Sequence, residues 1–189
     1  MIAVLLLAGG NATRLNGADK ALLFLHGRSL ISHLLARLTP QAGNIAISAN
    51  GDASRFAAYG LPVLPDAPEH AGKGPLAGVA AGLAWAASLE AEALLTIPGD
   101  TPFIPQTLIS DLAPPPAVAC HQGQQQHLVA LWPCTFLPAL KVFLAGPGPH
   151  RVRDALELCC ARPVTFDGPS ELFMNINTPE DLAAAAQRF

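Results

Sequence analysis

Residues 1–25 read MIAVLLLAGGNATRLNGADKALLFL. Ile2–Leu7 is a short, continuous apolar run, the pattern of a strand buried on both faces in a parallel sheet. The run stops at Gly9-Gly10. Small and polar residues follow, carrying Arg14 and closing on Asp19-Lys20. Ligands of parallel sheets sit beyond the carboxyl ends of the strands, and this loop occupies that place. Glycines let the backbone approach a ligand closely, so that amide N–H groups converge on an anion. Arg14 adds a planar fork for phosphate oxygens and Lys20 a compact point charge. The stretch therefore reads as a cradle for a polyphosphate. It is not a Walker loop, because Lys20 lies three residues beyond Gly17 instead of directly after it.

The rest of the chain extends the same pattern. "NIAISA" (44–49), Val63-Leu64 and "EALLTIPGD" (92–100) read as further strands. Ser29 is placed to cap "LISHLLARL" (30–38), and a short helix is expected over 53–59. Pro75 opens "PLAGVAAGLAWAASL" as a first helical residue. After Ala113–Pro116 the pattern changes. "AVACHQGQQQHLVALW" (117–132) reads as an antiparallel hairpin around a Gly-Gln turn. Helices are expected near 136–144 and 152–160, and a strand near Val164. A last helix is capped by Thr178, with Pro179 at its first position and acids in its first turn. This alternation predicts one domain over residues 1–189: a three-layer α/β/α fold with a mostly parallel sheet and an antiparallel hairpin in the C-terminal half.

Two carboxylates stand at strand ends. Asp100 follows a buried strand and precedes Pro102, so it is held at the carboxyl edge of the sheet. Mg2+ takes oxygen ligands, typically one or two carboxylates plus substrate phosphates, and Asp100 suits that role. Asp66, closing "VLPD", ends the neighbouring strand. "GKGPLA" (72–77) fits G-x-G-x-x-A, with Asp100 a little over twenty residues on. No strand leads into it, so it is read as a helix N-terminus that, with Lys73, adds to the same anion site. The histidines are scattered without zinc-site spacing, and no G-x-S-x-G nucleophile motif occurs.

Composition bounds the partners. Of 189 residues, 51% are hydrophobic and 13% charged, which excludes a disordered chain. A net charge of −3 gives no global attraction for nucleic acid. No run reaches the roughly 18 strongly apolar residues of a membrane span, and the first seven residues lack the cationic region of a leader. Cys120, Cys134, Cys159 and Cys160 form no C-x-x-C pair, and a reducing cytoplasm is the expected compartment.

"LAGGNATRLNGADK", "GPLAG", "GDTPFIP" and "NINTPEDL", in this order from about Leu5 to Leu182, resemble the molybdenum cofactor guanylyltransferases. That family is similar to the wider group of nucleotide-sugar-type nucleotidyltransferases. "LAGG", where related sequences have "LAAG", resembles the guanylyl branch more than the cytidylyl branch. The resemblance implies a Rossmann-like sheet and transfer of GMP from GTP to the terminal phosphate of molybdopterin, with release of pyrophosphate. It implies Mg2+ as cofactor, and molybdenum cofactor biosynthesis proteins or molybdoenzyme maturation factors as partners. The alternatives are a cytidylyltransferase or sugar-phosphate nucleotidyltransferase of the same group, and a nucleotide-binding regulatory protein.

Carried over by position, Leu7, Ala8, Gly9, Gly10, Lys20, Ser48, Asp66 and Asp100 would bind the nucleotide. Asp100 would hold the metal, and Arg14, Lys20 and Asp100 would be catalytic. Arg151, Arg153, Asn175 and Asn177 would face the acceptor. This divides the chain into a nucleotide-binding half over about 1–112 and an acceptor-binding half over about 117–189. Three positions depart from the family pattern. Asn16 replaces a glycine, Ser48 stands where the family has a nucleotide-contacting Asn, and Leu128 replaces a proline. The last is expected to alter pairing of the hairpin's second strand.

Overall fold

The computed structural model describes residues 1–9 and 19–187. Its strands, in chain order, are β1 (Ile2–Leu7), β2 (Phe24–Leu25), β3 (Arg28–Ser29), β4 (Ile45–Ser48), β5 (Val63–Leu64), β6 (Ala93–Pro98), β7 (Ala117–His121), β8 (Gln124–Pro133) and β9 (Arg162–Thr165). The helices are α1 (Leu30–Leu38), α2 (Pro75–Ser88), α3 (Leu108–Leu112), α4 (Leu137–Ala145), α5 (Val152–Leu158) and α6 (Pro179–Ala186). Ala53–Tyr59 is a 3-10 helix rather than an α-helix. α3 is an element that the sequence reading did not separate from its surroundings.

Seven strands form one sheet in the order β5-β4-β1-β6-β8-β7-β9, and β2 and β3 form a separate hairpin. β5, β4, β1 and β6 are mutually parallel, β8 is antiparallel to both of its neighbours, and β7 is parallel to β9. β1 is the middle of the parallel half, and its central residues from Ala3 to Leu6 are fully buried. Leu7 aligns with Ser48 on one side and Pro98 on the other. The segments that follow these three strands therefore leave the sheet side by side along one edge. β8 joins the hairpin directly to β6, so the chain beyond Pro116 continues the same sheet. The β7–β8 ladder is interrupted. Val118 faces Ala130 and Cys120 faces Gln125, so Gln126–Val129 are a bulge opposite Ala119 that contains Leu128.

Helices cover both faces. α1, the 53–59 turn and α3 pack on one side through Ile31, Leu34, Phe56 and Leu108. α2, α4 and α5 cover the other through Leu76, Leu83, Leu140 and Leu156. α2 comes unusually close to the strands, because Gly78 and Gly82, one turn apart, face the sheet. A Cβ on Gly82 would lie 2.5 Å from Leu5 Cδ2 and 2.8 Å from Leu94 Cδ2. A third, smaller apolar cluster (Leu25, Leu30, Ile176 and Ala185) seats the β2–β3 hairpin against α6. α6 is closed by a full capping box between Thr178 and Asp181. Among the described residues no helix is long and apolar enough to cross a membrane, and the four cysteines are free thiols.

Candidate active site

The carboxyl edge of the parallel strands opens into a cleft of about 1190 Å³. Leu7, Ala8 and Gly9 form its floor where the chain leaves β1. Two hydrogen bonds hold this start of the loop between its neighbours: Ala8 N donates to Ser48 O at 2.9 Å and Gly99 N to Leu7 O at 2.9 Å. Gly99 is required there, since a Cβ would lie 2.9 Å from Ala21 Cβ and 3.4 Å from Leu7 O. Gly10, Arg14 and Asn16 lie outside the described residues.

Lys20 opens a single 3-10 turn, Lys20–Leu22, directly beyond the loop. Its Nζ donates to Asn177 Oδ1 at 2.5 Å and stands 3.9 Å from Asp100 Oδ2. Asp100 follows β6 through Gly99, and its side chain is only 18% exposed. Burial pushes the Asp100 carboxyl above the usual carboxylate range, and the Lys20 ammonium opposes that rise. Next to it, Thr101 Oγ1 donates to Asn175 Oδ1 at 2.5 Å. Ile176 N donates to Asp100 O at 2.9 Å, and Phe173 N to Phe103 O at 2.8 Å. Residues 173–177 thus run alongside 100–103, and Asn175 and Asn177 both line the cleft.

The opposite wall is built from β4, β5 and α2. Ser48 lines the cleft and is 4% exposed. It lies under Gly78, where a Cβ would come within 2.4 Å of Ser48 Oγ. Asp66 also lines the cleft and is clamped by Asn50, whose Nδ2 donates to Asp66 Oδ2 at 2.7 Å and whose Oδ1 accepts from Asp66 N at 2.9 Å. Gly72, Gly74 and Pro75 bring the N-terminus of α2 to the same wall. Gly74 is its N-cap with φ +66°, a conformation that favours glycine. Lys73 is half-buried beside them.

Of the residues expected at the acceptor, the structure brings Asn175 and Asn177 to Asp100 and Lys20. Arg151 and Arg153 do not line the cleft. Arg151 is exposed ahead of α5, and Arg153 pairs with Asp154 at 3.5 Å and Glu157 at 3.6 Å on that helix. Asn50 and Arg55 line the cleft and were not singled out from the sequence. Asn50 lies two residues past Ser48 at the end of β4, which was the available signal. Arg55 sits in the 53–59 turn, where nothing local marks it.

Among the described residues no three His, Cys, Asp or Glu side chains gather as a self-sufficient metal site. Asp100 is the mostly buried, strand-end carboxylate on the cleft. A single carboxylate suits an ion that completes its shell with substrate phosphates and water, as Mg2+ does.

Residues 4–160 match the MobA-like NTP transferase domain. A molybdenum cofactor guanylyltransferase of Acidiphilium cryptum is 51% identical over 180 residues, covering 95% of this chain and 91% of that protein. Its counterpart in Rhodobacter capsulatus is 46% identical, covering 99% and 96%. Among solved structures, molybdopterin-guanine dinucleotide biosynthesis protein A of Archaeoglobus fulgidus superposes with a TM-score of 0.75 at 22% identity, covering 100% of this chain and 98% of that one. The last likeness is one of fold.

Proposed function

The chain belongs to the family of MobA-like NTP transferase domains, and on that premise we propose that it transfers GMP from GTP to the terminal phosphate of molybdopterin, forming the guanine dinucleotide and releasing pyrophosphate. The observation that carries the reading is the placement of Lys20 against Asp100. The first cation beyond the phosphate loop stands 3.9 Å from a buried strand-end carboxylate, beside a cleft floored by Leu7, Ala8 and Gly9.

The chemistry is a meeting of anions. An oxygen of the acceptor phosphate attacks the α-phosphorus of GTP, the bond from that phosphorus to the bridging oxygen of the β-phosphate breaks, and pyrophosphate departs. The nucleophile is already ionised near neutral pH, so no strong general base is needed. What the protein supplies is position and charge. The amides of the loop after β1 hold phosphate oxygens. Lys20, and Arg14 by its place in the motif, gather the charge that grows on the β- and γ-phosphates as they leave. Asn177 holds the ammonium of Lys20 in place. Asp100 is the residue that would hold Mg2+, which when bound neutralises phosphate charge and polarises the α-phosphate.

The nucleoside extends from the loop toward Ser48 and Asp66, on the wall of α2. Asn175 and Asn177 serve the acceptor side of the reacting centre. Arg151 and Arg153, outside the cleft lining, are assigned to outer anionic groups of the acceptor. Within the cleft, the Lys20–Asn177 hydrogen bond then links the nucleotide half over 1–112 to the acceptor half over 117–189. The test is pyrophosphate release from GTP, CTP and ATP, with Mg2+ or with chelator, and with and without molybdopterin. Release that requires GTP, Mg2+ and molybdopterin together is expected. Release driven by CTP, or nucleotide binding without release, would replace this reading with one of its relatives.

A further inference from the structure

Asn50 and Arg55 do no chemistry in the mechanism above, yet both line the cleft. β5 is only two residues long and lies at the sheet edge, so the ladder that fixes it is short. Its last backbone bonds are Ile47 N to Pro62 O at 2.9 Å and Ala49 N to Leu64 O at 3.0 Å. Asp66 lies two residues past the end of this strand. The Asn50 side chain continues the ladder in place of backbone, accepting from Asp66 N and donating to Asp66 Oδ2. This leaves Oδ1 of the carboxylate without a bond from Asn50.

Arg55 fixes Asn50 in turn. Its Nη2 donates to Asn50 O at 2.8 Å, its Nη1 to Asp52 O, and its Nε to Asp19 Oδ2 at 2.9 Å. The guanidinium lies 4.7 Å from the ring centroid of Phe56, which is fully buried. All three nitrogens are engaged and Asp19 balances the charge, so this arginine is not a free cation waiting for phosphate. Itself 36 positions from Asp19, it ties the residue before Lys20 to the residue that clamps Asp66.

Building on the guanylyl-transfer reading, we infer that Arg55 and Asn50 are positioning residues that set Asp66 and the exit of the phosphate loop at a fixed separation before GTP arrives. Asp66 Oδ1 then meets the nucleoside as a preset acceptor, while Lys20 meets the phosphates. Hydrogen bonds near the surface are individually modest. Losing the two-bond clamp therefore weakens GTP by about tenfold and leaves kcat nearly unchanged, because the reacting phosphates are held elsewhere.

The discriminating variant is Asn50→Asp. It keeps an acceptor for Asp66 N but turns a carboxylate toward the Asp66 carboxylate, with Asp19, Asp52 and Arg55 as the other charged groups of the network. Like charges at this distance share a proton once the pH is low enough, and that proton restores the missing donor. GTP binding by calorimetry is expected to fall about tenfold or more at pH 8 and to recover toward wild type near pH 5. Arg55→Lys keeps a cation for Asp19 but loses the bridge to Asn50 O, and is expected to raise the GTP KM several-fold with kcat kept. A merely structural role would lower Tm without a pH-dependent affinity. Asn50→Asp protein that binds GTP within twofold of wild type at both pH values overturns the inference. Wild-type protein that binds no GTP at either pH overturns the guanylyl-transfer reading instead.

Discussion

Gly78→Ala probes the contact by which α2 seats the nucleoside wall. In a helix interior the change favours folding by about 1 kcal/mol. Against this, the new Cβ would lie 2.4 Å from Ser48 Oγ, 3.3 Å from Leu7 Cδ2 and 3.4 Å from Ser48 Cβ. The first separation cannot persist. Ser48 Oγ is the end of a one-bond side chain, so it turns away, and displacement from its rotamer well costs about 0.5–1.5 kcal/mol. The two terms nearly cancel, and Tm should move by less than about 2 °C, since 1 kcal/mol is worth about 2–4 °C at this size. Function does not cancel: Ser48 lines the cleft, and if it binds the nucleotide as proposed, turning its hydroxyl away removes one hydrogen bond, a GTP KM rise of about three- to tenfold. Gly82→Ala is the contrast. There the clash falls on Leu5 and Leu94, which are fully buried and outside the cleft. Overpacking of about 1–3 kcal/mol outweighs the helix gain, so Tm should fall by several degrees with KM unchanged. The assays are thermal unfolding and pyrophosphate release titrated with GTP, each repeated in a Ser48→Ala background. With the hydroxyl gone, Gly78→Ala should raise KM no further. An equal rise in both backgrounds, or a Gly82→Ala protein as stable as Gly78→Ala, would refute the reasoning.

Asp100→Asn should abolish turnover in a folded protein. Burial raises the folded pKa of Asp100 above its ordinary 3.8, so its contribution to stability is complete below that value and is lost as pH rises through the raised one. The variant should accordingly gain stability relative to wild type toward neutral pH, measured by urea unfolding at pH 4 and pH 7. Lys20→Ala should lower kcat by on the order of a hundredfold, the scale of losing one charge-stabilising donor; a pure KM effect would mean that Lys20 positions the ground state. Asn177→Ala should lower kcat as well, because it frees the Lys20 ammonium, and combining it with Lys20→Ala should add little further loss. Thr178→Ala should lower stability by about 1 kcal/mol through the cap of α6, read from the urea midpoint.

Much of the fold was legible because its signals are local. Continuous apolar runs marked β1, β4 and β6, Pro75 marked the start of α2, and Thr178-Pro179 marked that of α6. α3 escaped because five residues, Leu108–Leu112, carry too little periodicity and follow the proline-rich "DTPFIP". The bulge at Gln126–Val129 escaped because a hairpin's register is set by pairing across strands, although Leu128 had flagged the second strand. The site divided in the same way. Gly9 and Asp100 follow strands and were readable as edge residues. The Asn50–Asp66 clamp and the Arg55 bridge are contacts between side chains far apart in sequence. The family resemblance grouped Asn175 and Asn177 with Arg151 and Arg153, and sequence alone did not show that the backbone bond from Ile176 N to Asp100 O brings the two asparagines, but not the arginines, to the cleft.

The hydrogen bond between Lys20 and Asn177 joins residues 157 positions apart. On the ribosome the phosphate loop, Lys20 and Asp100 emerge long before Asn177, and the N-terminal part of a chain generally folds first. A nascent chain therefore has its phosphate lysine without the amide that holds it, and the Leu25–Leu30 cluster without Ile176 and Ala185 to cover it. Both the Lys20–Asn177 bond and the cover over Leu25 and Leu30 form only when the segment from Ile176 through α6 docks.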